Sequence, residues 1–247
     1  MMCMKNVCYR MSRRLISVYT PLIFVFLTTV FVVSSALAGS TKTASLHEGF
    51  VSVADAVPDV IVEVRYYTEE NFLGTVVDGY YAPKVILSEP AAKGLIKAQE
   101  VLAPFGLVLK VFDGYRPQMA VDHFVRWAKD LDDTKRKATY YPDVQKKHLF
   151  RDGYIAAKSG HTRGSTVDVT LVDKATGNEL DMGTGFDFFG PKSWPDNKIM
   201  SVQVRSNRAL LQRVMSACGF KHLKEEWWHF TLRDEPYPDT YFTFPIR

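Results

Sequence analysis

Thr166-Val167-Asp168-Val169-Thr170-Leu171 alternates polar and apolar side chains with a period of two, the pattern of a strand with one face turned to a core. Val167, Val169 and Leu171 share the core side, so Thr166, Asp168 and Thr170 share the other and Asp168 is expected to project into a polar cleft. Just before this strand, Ser159-Gly160-His161-Thr162-Arg163-Gly164-Ser165 supplies an imidazole and a turn. Gly164 has no Cβ and can fold the chain back so that His161 and Asp168 converge. Taken alone, His161 also reads as a surface loop histidine, and Asp168 as a cap on a neighbouring amide. A second segment, Glu226-Trp227-Trp228-His229, reverses that balance by adding another imidazole and a spare carboxylate.

Outward from these segments the pattern is mixed. Val60 to Val64, Leu107 to Phe112 and His229 to Leu232 read as strands, like Val167 to Leu171. Ala91 to Leu102 reads as a helix, and Pro117 to Leu131 as another with proline in its first turn. Leu210, Leu211, Val214, Met215 and Cys218 form the stripe of an amphipathic helix closed by Gly219. Short strands among helices at uneven spacing, without βαβ regularity, predict an α+β fold: one domain with a small, mostly antiparallel sheet flanked by helices. Residues 50–247 hold no repeat, low-complexity tract or Pro/Ser-rich linker, and residues 39–49 read as an exposed tether.

The first 38 residues stand apart. Lys5, Arg10, Arg13 and Arg14 precede the apolar run Leu22 to Val33, and Ala36-Leu37-Ala38 offers a small-residue cleavage site. This predicts a signal peptide over 1–38 and an exported, periplasmic protein. The rival reading is an uncleaved membrane anchor over Leu15 to Ala38. No cysteine follows the cleavage site, so a lipoprotein is not indicated. The leader carries four basic and no acidic side chains; without it the 31 Lys and Arg fall to 27, equal to the 27 Asp and Glu. A balanced domain gives no electrostatic footprint for nucleic acid. Cys3 and Cys8 lie in the leader, which leaves Cys218 without an intrachain partner. Its place on the helical stripe marks a buried structural thiol.

The chemistry resides in the two quoted segments. Two imidazoles and a carboxylate leave one position of a tetrahedral Zn²⁺ open to water, and a further glutamate can take that water's proton, as a hydrolytic zinc site in a cleft on the sheet requires. Glu226 and His229 are three apart, which places them on opposite faces of a regular strand, so a bend or bulge at Trp227-Trp228 is expected. The two tryptophans are by default core aromatics. Asp113-Gly114-Tyr115-Arg116-Pro117 follows a strand and is expected to present Arg116 at the sheet edge. A guanidinium there suits an oxyanion, although a salt bridge to Asp113 is the plainer reading. His47, His123, His148 and His222 have no comparable ligand-spaced partners.

Asp-Gly-Tyr-Arg-Pro at 113–117, Ser-x-His-x-x-Gly-x-x-x-Asp at 159–168 and Glu-Trp-Trp-His at 226–229 together resemble the zinc D-alanyl-D-alanine dipeptidases, the VanX type. The likeness extends through Tyr66-x-Thr68-x-x-Asn71-Phe72-x-Gly74, Met182-Gly183 to Phe188, and Arg233-Asp234-Glu235-Pro236-Tyr237-Pro238, covering nearly all of residues 50–247. The resemblance implies one zinc ion held by His161, Asp168 and His229, Glu226 as general base and acid, and Arg116 as the group that stabilises the transition state. It also implies that Asp187 and Tyr66 hold the free amino group of a dipeptide, with Ser159 lining the pocket. Resistance-type members carry a second serine where this chain has Gly160, which leaves the contact to the substrate carboxylate open.

The expected activity is therefore zinc-dependent hydrolysis of D-Ala-D-Ala to two D-alanines, in a periplasmic protein that salvages or turns over wall-derived dipeptide. A D,D-carboxypeptidase or endopeptidase acting on peptidoglycan stem peptides is the alternative with the same metal set. A zinc-bearing binding module without catalysis is the other, and the presence of Glu226 speaks against it.

Overall fold

The computed structural model describes residues 46–247; the expected leader and most of the tether lie outside the described residues. In chain order the elements are β1 (Phe50–Ser52), α1 (Val53–Ala56), β2 (Ile61–Val62), β3 (Ile86–Ser88), α2 (Glu89–Leu102) and β4 (Leu107–Asp113). There follow α3 (Gln118–Lys129), α4 (Lys137–Tyr140), β5 (Thr166–Asp173), α5 (Val202–Ala217), β6 (Phe220–Leu223) and β7 (Glu226–Leu232). Short 3₁₀ turns connect them, two of which carry Tyr66 and His161.

The alternating stretch Thr166 to Leu171 lies in β5, the middle strand of a five-stranded sheet in the order β2-β4-β5-β7-β6. Only β2 and β4 run parallel; the other pairs are antiparallel. β1 and β3 form a separate antiparallel pair. The α+β expectation of a small, mostly antiparallel sheet with flanking helices holds. The period of two holds as well, but both faces of β5 are covered: every residue from Thr166 to Val172 is buried. The polar face of this strand is lined by other parts of the chain and is not open to solvent.

Helix ends follow local chemistry. α2 starts at Glu89, with Pro90 in its first turn, two residues before the apolar periodicity begins. Pro117 is extended and caps α3 without entering it, and α3 ends at Lys129. The side chain of Ser201 accepts a hydrogen bond from the Val204 amide at the start of α5, and the chain leaves that helix through Gly219 at φ +99°. Gly94 lets α2 approach β6, since a Cβ there would stand 2.6 Å from the Phe220 ring. The Val60 to Val64 strand shrinks to Ile61–Val62 because the 3₁₀ turn at Arg65–Tyr67 takes over the backbone.

Residues after β7 run back over the domain as a strap. Phe242 donates its amide to Thr162 O and accepts one from Gln118, while Ile246 exchanges hydrogen bonds with Gly79 and Tyr81. Ile246 is fully buried, and Phe244 stacks on Tyr115 with ring centroids 4.1 Å apart. Among the described residues no helix is long and apolar enough to cross a membrane.

Candidate active site

Register places the site. A shift in the β4–β5 pairing between Val111 and Asp113 sets Asp113 opposite Asp168, and Asp168 is in turn opposite His229 on β7. The three side-chain positions therefore form a row across adjacent strands. The expected irregularity at Trp227-Trp228 is present: His222 pairs with Phe230, but the next residue, Leu223, pairs with Glu226. The extra residues of β7 form a bulge that brings Glu226 onto the side of His229, with Oε2 3.3 Å from Nδ1.

His161 reaches the row from the 3₁₀ turn Gly160–Arg163, where the Ser159 hydroxyl accepts from the His161 amide. The turn closes through Gly164 at φ +80°, where any Cβ would run into the Phe50 ring. Nε2 of His161 is 3.3 Å from Asp168 Oδ2 and 3.3 Å from His229 Nδ1, and His229 Nδ1 is 3.3 Å from Asp168 Oδ1. Tetrahedral bonds of roughly 2.0–2.1 Å require ligand atoms about 3.3–3.4 Å apart, so the three donors fit such an ion. Two further observations agree. Asp168 Oδ1 is buried without a hydrogen-bond partner, and His161 Nδ1 faces the Gly114 carbonyl at 2.7 Å, which fixes the tautomer with a free lone pair on Nε2.

Electrostatics hold the set together. Burial pushes the Asp168 carboxyl up, but His161 and His229 outweigh it and keep the group well below the usual carboxylate range. Burial lowers His229, and hydrogen bonding and charge from Asp168 and Glu226 overcome that, raising it to about 9. Without an ion, the proton on His229 occupies a place that a metal would take.

Arg116 lies beyond the end of β4, an interior strand of the sheet, and so is not at a sheet edge as expected. The salt bridge to Asp113 is real, at 2.9 Å, and it aims the guanidinium into the cavity without removing it: Nη2 is 3.6 Å from Asp168 Oδ2 and 3.5 Å from the Tyr66 hydroxyl. The rings of Tyr66 and Phe124 each lie 5.0 Å from the guanidinium carbon. Asp113 also accepts from the Tyr80 hydroxyl at 2.7 Å and stands 3.6 Å from His161 Nδ1. This buried carboxylate backs both Arg116, as the expected salt bridge, and His161, a contact that the sequence did not announce.

Tyr66 donates a 2.8 Å hydrogen bond to Asp187, and both are buried. Asp187 is a non-glycine residue at φ 59°, in the left-handed region. Burial, followed by the charge of Asp168, pushes its carboxyl well above the ordinary range. The segment that carries it is anchored by Arg208 of α5, which donates to the carbonyls of Met182, Lys192 and Trp194 and has no carboxylate in hydrogen-bonding contact. Trp227 adds a bond from its indole nitrogen to Thr184 Oγ1.

These groups line one cavity of ≈ 230 Å³, walled further by Phe72, Tyr154, Phe189 and the segment from Lys158 to Gly160. All the site residues expected from sequence, Tyr66, Arg116, Ser159, His161, Asp168, Asp187, Glu226 and His229, open onto it. The volume is below the roughly 300–1,000 Å³ that suits drug-sized ligands, so the cavity fits a short molecule.

The family model described as D-ala-D-ala dipeptidase, Peptidase_M15, matches residues 46–247. The D-alanyl-D-alanine dipeptidase of Streptomyces coelicolor is 43% identical over 80% of this chain and 98% of its own length. That of Enterococcus faecalis is 40% identical over 81% of this chain and 100% of its own length. A solved structure of a vancomycin resistance D,D-pentapeptidase VanY mutant in complex with Zn(II) shares 14% identity and a TM-score of 0.38, covering 62% of this chain and 76% of that one. On the family match and the identities to these dipeptidases, the chain belongs to the D-Ala-D-Ala dipeptidase family of metallopeptidases.

Proposed function

We propose that this protein is a zinc dipeptidase that hydrolyses D-Ala-D-Ala to two D-alanines. The observation that carries the reading is a single small cavity in which a His161–Asp168–His229 tripod, with its donor atoms within 4.8 Å of one another, shares the wall with Glu226, Arg116 and the Tyr66–Asp187 pair. Bound zinc supplies Lewis acidity and brings the pKa of a coordinated water to about 7.

The chain's own residues supply the rest. Glu226 stands beside the tripod, contacting His229, and is positioned to take the proton of the attacking water and pass it to the leaving amine. Arg116, held by Asp113, points its Nη2 toward the tripod and stabilises the negative charge that develops on the scissile carbonyl oxygen. Asp187 with Tyr66 holds the free ammonium of the substrate. A buried ammonium without that carboxylate carries a large penalty, and acylating the amine removes the charge and adds bulk beside the buried Tyr66–Asp187 pair. This favours a dipeptide over a stem peptide.

The domain division follows the same reading: a leader over 1–38, a tether over 39–49 and the dipeptidase domain over 50–247, with the leader's composition supporting export and a role in turnover of wall-derived dipeptide. The test is hydrolysis by the zinc-loaded domain of D-Ala-D-Ala and its N-acetylated form, with Glu226→Ala beside it. Cleavage of the free dipeptide alone, lowered about 10²–10⁴-fold in the variant, is expected. Equal or faster cleavage of the acetylated form would move the assignment to a stem-peptide carboxypeptidase. A reporter joined after residue 38 that stayed in the cytoplasm would refute export.

A further inference from the structure

A zwitterionic dipeptide has two charged ends, and the pairing of Asp187 with Tyr66 accounts for only one. Its carboxylate enters a cavity whose lining also carries three acidic side chains, Asp168, Asp187 and Glu226, so it needs a donor of its own. Two cations line the same cavity. Arg116 is committed to Asp113 and lies beside the tripod. Lys158 is exposed, and among the described residues no carboxylate forms an ion pair with it. Its ammonium lies 4.9 Å from the ring centroid of Tyr241, a weak partner that leaves its charge available. The neighbouring cation, Arg163, is tied to both oxygens of Glu235 at 2.8 Å and does not compete.

The rest of the segment carries no other charge. The Ser159 hydroxyl accepts from the His161 amide and keeps its own proton to donate, a neutral hydrogen bond beside which Lys158 supplies the counter-charge. Gly160 has no side chain, and a Cβ there would stand 2.8 Å from Thr166 Oγ1, itself bonded to Thr231 Oγ1 at 2.9 Å. Thr166 thus fills the space that a side chain at position 160 would need. Segment 158–160 leads directly into His161, so a carboxylate one residue beyond the scissile carbonyl falls within reach of it, given about 3.3–3.6 Å of chain per residue.

We propose that Lys158 binds the substrate's terminal carboxylate and sets the requirement for a free C-terminus, a specificity residue for the reaction assigned above, on which this inference rests. The ammonium is a point charge on a flexible, exposed stem that lines the cavity, so it can swing from the Tyr241 ring to draw the anion in and release it after cleavage without a rigid clamp.

The test compares D-Ala-D-Ala with D-alanyl-D-alaninamide on the zinc-loaded wild type, Lys158→Met and Lys158→Arg. The ratio of kcat/KM for acid over amide is expected to fall about tenfold in Lys158→Met, through KM and not kcat, with most of it restored in Lys158→Arg. The wild-type preference should also weaken with added salt, as a half-exposed ion pair does. A Lys158→Met enzyme that keeps the wild-type ratio, or slows both substrates alike, overturns the assignment. Failure of the dipeptidase reading looks different: the wild type cleaves neither compound. Calorimetric binding of acid and amide to Glu226→Gln then decides the matter without turnover, and equal affinities for the two overturn the role of Lys158.

Discussion

His229 shows how one residue couples the fold to its metal. Its pKa of about 9 in the metal-free protein lies above the roughly 6.5 of an unfolded histidine. The proton it shares with Asp168 and Glu226 therefore contributes stability fully below about pH 6.5, and that contribution is lost as pH rises through about 9. Zinc needs the neutral ring, so binding expels this proton between those limits, and apparent affinity should rise about tenfold per pH unit up to about 9 and then level off. Calorimetry in buffers of different ionisation heat measures the released proton; no release near neutral pH would refute the shared-proton picture. At this scale the site was largely legible, because metal chemistry restricts ligands to few residue types and the spacing Ser-x-His-x-x-Gly-x-x-x-Asp is itself a turn followed by a strand. Asp113 was legible as the salt-bridge partner of Arg116 but not as a neighbour of His161. Its role depends on a one-residue register shift against β5, and no feature of its own segment encodes that shift.

The bulge in β7 and the segment from Met182 to Trp194 belong to the scale of elements. The need for a bulge could be read from two functional residues three apart in a strand; its form could not, since it is defined by the pairing with β6. The buried polar face of β5 was likewise hidden, because alternation reports the chemistry of a face and not what other segments lay over it. The Asp187 segment has no strand or α-helix, only a 3₁₀ turn at Pro191–Ser193, and it is anchored by Arg208, whose guanidinium is pulled down to about 10 by burial. Arg208→Met would leave the buried Met182 carbonyl and the part-buried Lys192 carbonyl without a donor, while Trp194 O keeps the Asn197 amide, at up to about 1–3 kcal/mol for each carbonyl lost. The expected outcome is a higher KM for the dipeptide with kcat largely kept, and proteolytic nicking within residues 182–194 before the core unfolds. Loss of kcat with unchanged KM would show that the segment does not act through the amine site.

For the whole domain, the core is continuous and does not depend on the ion. The row of Asp113, Asp168 and His229 is supported by hydrogen-bonded strands, and large aromatics such as Trp228, Tyr115 and Phe112 are buried around it. Chelation should therefore lower the melting temperature without unfolding the protein. With zinc held at about a hundred times its dissociation constant, the linked stability is about 3 kcal/mol, or a fall in Tm of roughly 5–10 °C for a chain of this size. Far-ultraviolet circular dichroism at room temperature should be unchanged; collapse of that signal on chelation would mean that the ion is structural. Fold class was legible from uneven alternation of strands and helices, whereas the order β2-β4-β5-β7-β6 was not, because it depends on contacts between segments far apart in the chain.

The strap after β7 gives the protein a timetable. Thr162, next to His161, and Gln118, two residues past Arg116, are both hydrogen-bonded to Phe242, and Tyr80, which holds Asp113, sits between the two residues bonded to Ile246. These braces are synthesised long after the parts they brace. A chain that has emerged only as far as β7 has every proposed site residue in hand and still lacks the backing hydrogen bonds from Phe242 and Ile246, so hydrolysis is expected only once residues 242–246 have docked.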